Sequence, residues 1–192
     1  LFLIIILKKR KIICPPKLAY ILLVLLLIQG LLGGLTVFKS NIPWSVAIHL
    51  VCAFLLFFTT LNIFLTTIRS RSLLKISKLT RLNIFISGLL IMLTGAAGAF
   101  TSKSGASLAC KSWPGCNQNF FPNINDIFEV IHFSHRILAL FFMLSILLLI
   151  YFLIFKYKNM NQLYKKVFLS LPLIMIFQTI VGSLLIYFKV PV

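Results

Sequence analysis

The sequence predicts an all-α fold, a polytopic membrane helix bundle. Three observations predict it. Of 192 residues, 60% are hydrophobic and 11% charged, where a soluble domain carries roughly 25% charged residues of both signs. The apolar residues gather into five long runs, each near the length of about 20 residues that a helix needs to cross about 30 Å of hydrocarbon. The basic residues lie between these runs and build no continuous basic face. The net charge of +17 therefore reads as juxtamembrane charge that sets topology, with the lipid bilayer and not nucleic acid as the partner.

Taken in order, residues 1–7 (LFLIIIL) are too short to span and read as the end of a preceding helix. With a first residue that is Leu1 and no small-residue cleavage site after the apolar stretch, the chain reads as a piece truncated at both ends rather than one with a signal peptide. The five spans are expected at 18–38, 44–66, 83–100, 130–155 and 167–188. The third is expected to be the shortest and is rich in glycine, with Gly88, Gly95 and Gly98.

Connecting segments alternate in charge. Lys8, Lys9, Arg10, Lys11 and Lys17 precede the first span. Arg69, Arg71, Lys75, Lys78 and Arg81 follow the second, and Lys156, Lys158, Lys165 and Lys166 follow the fourth. The other side has the short link from Lys39 to Pro43 and a loop at 101–127 with only Lys103 and Lys111. By the positive-inside rule the three basic segments are cytoplasmic and loop 101–127 is on the outer side of the plasma membrane.

That loop holds Cys110 and Cys116. On an oxidising face the pair can close a small disulfide ring, with Trp113 and Pro114 stiffening the turn. A redox-active dithiol is the other reading. A metal site would want a second Cys/His pair, and the loop has none. Cys14, in a cytoplasmic segment, and Cys52, inside a span, read as inert.

The sequence also repeats. Gln29, Gly33 and Leu35 in the first span match Gln178, Gly182 and Leu184 in the fifth, 149 residues on, and Phe38-Lys39 and Pro43 find near matches in Phe188-Lys189 and Pro191. The same shift lays residues 1–7 on the end of the fourth span. The plan is a tandem, parallel four-helix repeat, with sites expected near the repeat interface. Residues 1–66 then hold the end of the first half, 67–81 a cytoplasmic linker, and 82–192 the second half without its last helix. On this plan an intact protein has about eight spans, with a further histidine beyond each end of the chain.

All three histidines lie in or at the outer ends of spans. Ionisable groups there are costly and mark function. His49 and His135 fall at similar depth on helices that run the same way. Neutral imidazole in apolar surroundings is a common axial ligand of haem iron, and the alternative is a hydrogen bond to a neighbouring helix. The two are expected at different sites. His132, three residues before His135, shares its helix face, and Arg136 follows directly. Arg136 needs a partner at this depth, either a haem propionate or, indirectly, the acids nearby. Glu129, one turn before His132, is the rival partner. Gln29, Gly30, Gly33 and Gly34 give the first span a small-residue face for close packing, or for the approach of a flat macrocycle.

These residues resemble the heme A synthase family of cytochrome oxidase assembly proteins. The most specific stretch is Gly98 to Cys116, GAFTSKSGASLACKSWPGC, which is similar to the family's G-A-x-V-x-x-T/S-G-A-x-L-A-C-P-D-W-P-x-C. Ile131 to Arg136 (IHFSHR) resembles its H-R motif, and Gln29 to His49 its third helix and the start of its fourth. The resemblance implies eight helices in two halves, each holding a haem between two histidines. It implies that His49 is a haem-iron ligand in the substrate half and His135 one in the half that holds a heme b cofactor, with His132 and Arg136 behind them and Cys110 paired with Cys116. The family's catalytic glutamate lies three residues before a histidine of the second helix, outside this chain. Its counterpart here is His132, so Glu129 is not assigned that role. Lys111-Ser112 stands where the family has Pro-Asp.

The implied reaction oxidises the C8 methyl of heme O to the formyl group of heme A through a hydroxymethyl stage. The implied partners are the substrate heme O, heme O synthase and cytochrome oxidase assembly factors. No nucleotide-binding fingerprint is present, so electrons are expected to leave through the second haem. The rivals are a non-catalytic bis-histidine cytochrome b, a membrane thiol oxidoreductase using Cys110 and Cys116, and half of a transporter.

Overall fold

A computed structural model describes residues 16–68, 77–117, 119–156 and 162–189. Five long helices carry the chain: α1 (Pro16–Phe38), α2 (Pro43–Ile68), α3 (Lys78–Lys103), α4 (Ile127–Lys156) and α5 (Gln162–Tyr187). A single 3-10 turn, Ala106–Leu108, follows α3. All five are long and apolar enough to cross a membrane, and large apolar side chains such as Leu31, Phe85, Phe141 and Leu173 stand exposed along them. In water such a surface would be untenable. Against lipid tails it is the outer face of a multi-pass membrane protein. Residues 1–7, Cys14 and Pro191 lie outside the described residues.

The third helix differs from the sequence expectation. It is 26 residues long, more than the 23 of α1. It begins at Lys78, where Ser77 caps it by accepting a hydrogen bond from the Thr80 N–H, so Lys78 and Arg81 lie in helix and not in a linker. Hydropathy missed this first turn because its polar residues face inward: Thr80 and Asn83 are buried.

The chain forms two compact units, Leu1–Lys75 and Ile76–Val192. In the first, α1 packs on α2 as a hairpin around Ala19, Leu22 and Ile63. In the second, α3 packs on α4. The α3 face recurs at Thr80, Asn83, Ser87, Thr94 and Thr101, the three- and seven-residue steps of a helix seam. Ser87 donates across it to Ser145 at 3.1 Å. Small and hydroxyl side chains let two backbones approach closely where water supplies no driving force. Helix α5 packs more lightly on α4, and its span has no buried residue.

The ends of α1 and α5 are built alike. Lys39 N–H donates to the Leu35 carbonyl and Phe188 N–H to that of Leu184, both at 2.9 Å. Ser40 N–H reaches Val37 and Lys189 N–H reaches Ile186, both at 3.1 Å. Ser40 (φ 56°) and Lys189 (φ 54°) are both left-handed. Each residue of the second set follows its mate by 149 positions, the offset of the sequence repeat.

Candidate functional site

Each unit seats one histidine on a glycine of the preceding helix. His49 lies two turns into α2, and its Cε1 would stand 3.2 Å from a Cβ built on Gly33 of α1. His135 lies on α4, with its Cε1 3.0 Å from a Cβ built on Gly98 of α3. Any side chain at either glycine would meet the ring. Of the small residues expected to form one face of α1, only Gly33 has this role: a Cβ on Gly30 or Gly34 meets nothing within 4 Å.

The rings are placed alike. The side-chain amide of Gln29, one turn before Gly33, lies 3.3 Å from His49 Nε2. The backbone of Thr94, one turn before Gly98, lies beside the His135 ring. In both histidines Nδ1 is buried without a partner. A buried imidazole nitrogen left open is costly unless something occupies it.

His132 is used differently. It is 6% exposed, its Nδ1 accepts the Cys110 N–H at 3.4 Å, and the Ala106 backbone lies beside the ring. The ring is committed to the connection between α3 and α4. His132 and His135 share a helix face, as their spacing requires, but of the two only His135 has a buried, unpaired nitrogen.

That connection is a compact cap. Cys110 and Cys116 lie with Cα atoms 4.5 Å apart and sulfurs at 2.00 Å, within the expected range for a bridged pair. Trp113-Pro114, between them, is cis. Arg136 projects from α4 into this ring. It donates to the carbonyls of Ser112 at 2.8 Å, Pro114 at 3.3 Å, Cys110 at 3.1 Å, and Gly115. These four bonds tie the guanidinium to the loop. Its Nε alone is left buried and unpaired.

Both acids of the chain serve the start of α4. Asp126 Oδ1 accepts the N–H groups of Phe128 and Glu129, a helix N-cap. Glu129 accepts from Asn117 Nδ2 and, at 2.8 Å, from the Asn123 N–H. The rival pairing of Glu129 with Arg136 gives way to these loop contacts. Sequence reasoning missed Gln29, Thr94 and Asn117. The Gln-Gly spacing was visible, but not that it faces an imidazole.

Known proteins match this chain along its length. A heme A synthase of Oceanobacillus iheyensis is 27% identical over 177 residues, 88% of this chain and 57% of that protein. A heme A synthase of Shewanella oneidensis is 31% identical over 165 residues, 71% of this chain and 49% of that protein. The chain thus spans about half the length of the curated relatives it matches. The family described as cytochrome oxidase assembly protein matches residues 1–192. Seats, cap and match together place the chain: it belongs to the cytochrome oxidase assembly protein family.

Proposed function

We propose that this chain carries the haem-handling part of a heme A synthase, an oxidoreductase that converts the C8 methyl of heme O to a formyl group. The observation that supports this best is the pair of imidazole seats, each with a glycine floor and one buried, unpaired nitrogen. Among the described residues, no group of three or more His, Cys, Asp or Glu side chains could hold a metal ion. An iron held here must therefore bring most of its ligands with it, as a porphyrin does. The residues fit such a group: His49 and His135 would each offer an imidazole, at different sites, one to the substrate heme O and one to a heme b cofactor.

A bound haem would supply the redox chemistry. The chain's own residues orient and shield. Gly33 and Gly98 let each ring lie against backbone. The apolar helices keep water from the imidazoles. Arg136, His132 and Glu129 hold the α3–α4 cap over the His135 end of the hairpin. The charge pattern supports an orientation in the plasma membrane with the cap on the outer side, where Cys110 and Cys116 meet an oxidising medium. The thiol-oxidoreductase reading is disfavoured by access: Cys110 is 0% and Cys116 1% exposed, so an external thiolate reaches them only when the cap opens. Heme O synthase and oxidase assembly factors are the partners the family role implies.

The test is pyridine haemochrome analysis of membranes that make heme O and carry the protein. Heme A or its hydroxymethyl precursor is expected. His135→Ala should remove low-spin heme b and abolish product, and His49→Ala should abolish product. His132→Ala should keep a ligated haem. Product formation that survives loss of both His49 and His135 would defeat the proposal.

A further inference from the structure

The α3–α4 cap and the end of α5 enclose a groove that neither His49 nor His135 lines. Its volume is about 390 Å³, and its walls include Lys111, Ser112 and Trp113 of the cap and Ser183, Leu184 and Tyr187 of α5. That volume lies within the range of small-molecule sites, about 300–1,000 Å³. Tyr187 is the last residue of α5, so the groove sits where a span meets the headgroup region. Trp and Tyr are enriched at that level because one end of each ring is apolar and the other is wet. Here Trp113 is 56% and Tyr187 78% exposed.

The walls divide by chemistry. Leu184 and the two aromatic rings offer apolar surface. Ser112 Oγ donates to the Asn117 carbonyl at 2.5 Å and Ser183 Oγ to the Ile180 carbonyl at 2.8 Å, so backbone takes both hydroxyl protons. The side-chain donors along the groove are then the Lys111 ammonium, the Trp113 indole N–H and the Tyr187 hydroxyl. Lys111 is exposed, and its backbone N–H is fixed to Asn117 Oδ1 at 3.0 Å. No carboxylate balances this charge. Of the chain's two acids, Asp126 caps α4 and Glu129 accepts from Asn117 and Asn123, and neither lines the groove. The occupant must therefore bring a negative, acceptor-rich head together with an apolar body. A free anion would meet Lys111 but leave the apolar wall wet. The cation is also this chain's own, since Lys111-Ser112 stands where the family pattern has Pro-Asp.

We propose that the groove binds one anionic phospholipid, whose phosphate meets Lys111 and whose acyl chain lies against Leu184 and Tyr187 at the end of α5. A lipid seated there also ties α5 to the cap, which matters because the α5 span has no buried residue of its own. The site is independent of haem.

The test uses the intact protein in nanodiscs of phosphatidylcholine that carry a small share of brominated lipid, which quenches tryptophan on contact. The Trp113 signal is the difference between the protein and its Trp113→Phe variant. Brominated phosphatidylglycerol should quench that signal with about five-fold higher apparent affinity than brominated phosphatidylcholine, the effect expected of one Lys near an anionic lipid. Lys111→Gln should abolish the preference and Lys111→Arg should keep it. Ser183→Phe, which fills the groove without changing its charge, should abolish it as well. Equal quenching by the two lipids in the wild type would overturn the proposal. So would a preference that survives Lys111→Gln, and one that survives Ser183→Phe would reduce the effect to diffuse surface charge. Quenching by neither lipid would show that protein covers the groove, which also overturns it.

Discussion

The two hairpins seat their histidines in the same way and join their helices in opposite ways. Between α1 and α2 the connection is residues 39–42, a tight turn that uses Ser40 and Asn41 in left-handed conformations and a hydrogen bond from Asn41 N–H to the Thr36 carbonyl. Between α3 and α4 it is residues 104–126, bridged at Cys110–Cys116 and tied down by three side chains of α4. Where the link is short, the helices themselves fix the ring, and one side-chain amide completes the seat. Where it is long, loop carbonyls would otherwise face lipid or each other, so α4 supplies donors to them. The lesson is that His132, Arg136 and Glu129 cluster next to His135 because of the loop. They are the fastening of the second seat, not extra ligands of it.

This comparison breaks first at Arg136. Four carbonyls converge on one guanidinium, and a single hydrogen bond to a charged group contributes about 1.5–3 kcal/mol. Arg136→Ala should therefore destabilise the cap by about 3 kcal/mol or more, and protease should cut within 104–126 where it spares the wild type. Arg136→Lys should rescue little, since an ammonium lacks the planar fork that reaches several acceptors at once. Neither change should touch cleavage in the 39–42 turn. A cap that stays protected in Arg136→Ala would mean that the disulfide, and not the cation, carries it.

Reduction of the disulfide tests the same cap from the covalent side. Cys110 and Cys116 are 6 residues apart in sequence, and closing so short a loop contributes about 2 kcal/mol. Reduction should thus loosen the cap less than Arg136→Ala does. Protein kept under oxidising conditions should give no thiol labelling at Cys110 or Cys116. Labelling of both without reductant would show that the pair is not bridged.

Much of this was legible in the sequence, for identifiable reasons. Apolar runs report membrane spans because the bilayer sets their length, so three of the five helices fall within three residues of expectation. The widest misses are α3 and α5, which both begin five residues early; the first turn of α3 is polar and faces inward. His49 and His135 stood out because an ionisable group in a span is rarely incidental. The work of Arg136 could not be read, because its partners are backbone carbonyls, and carbonyls leave no mark in a sequence until the loop is closed. Thr94 was hidden too, since it is its backbone that lies beside His135. Gln29 was noticed as half of a repeat and as part of a small-residue face, not as the neighbour of His49. That α1 and α5 end with matching hydrogen bonds at the 149-residue offset supports that repeat from the backbone, independently of residue identity.

The finest test of the likeness between seats lies in the glycines. A Cβ on Gly98 would stand 3.0 Å from His135 Cε1 and 3.5 Å from both ring nitrogens. A Cβ on Gly33 would stand 3.2 Å from His49 Cε1 and 3.8 and 3.9 Å from its nitrogens. Overpacking costs typically about 1–3 kcal/mol, while removing a mid-helix glycine returns about 1 kcal/mol of helix propensity. The two terms nearly cancel at Gly33, where the ring can retreat because its partner is the end of a flexible side chain. At Gly98 the contact is closer, so the clash prevails. Gly98→Ala should lower thermal stability and reduce the low-spin haem bound at His135 several-fold, whereas Gly33→Ala should leave stability near wild type and haem at His49 only slightly reduced. If Gly33→Ala proves the more damaging of the two, the first seat is the rigid one, and the ranking of the seats by closeness of contact is wrong.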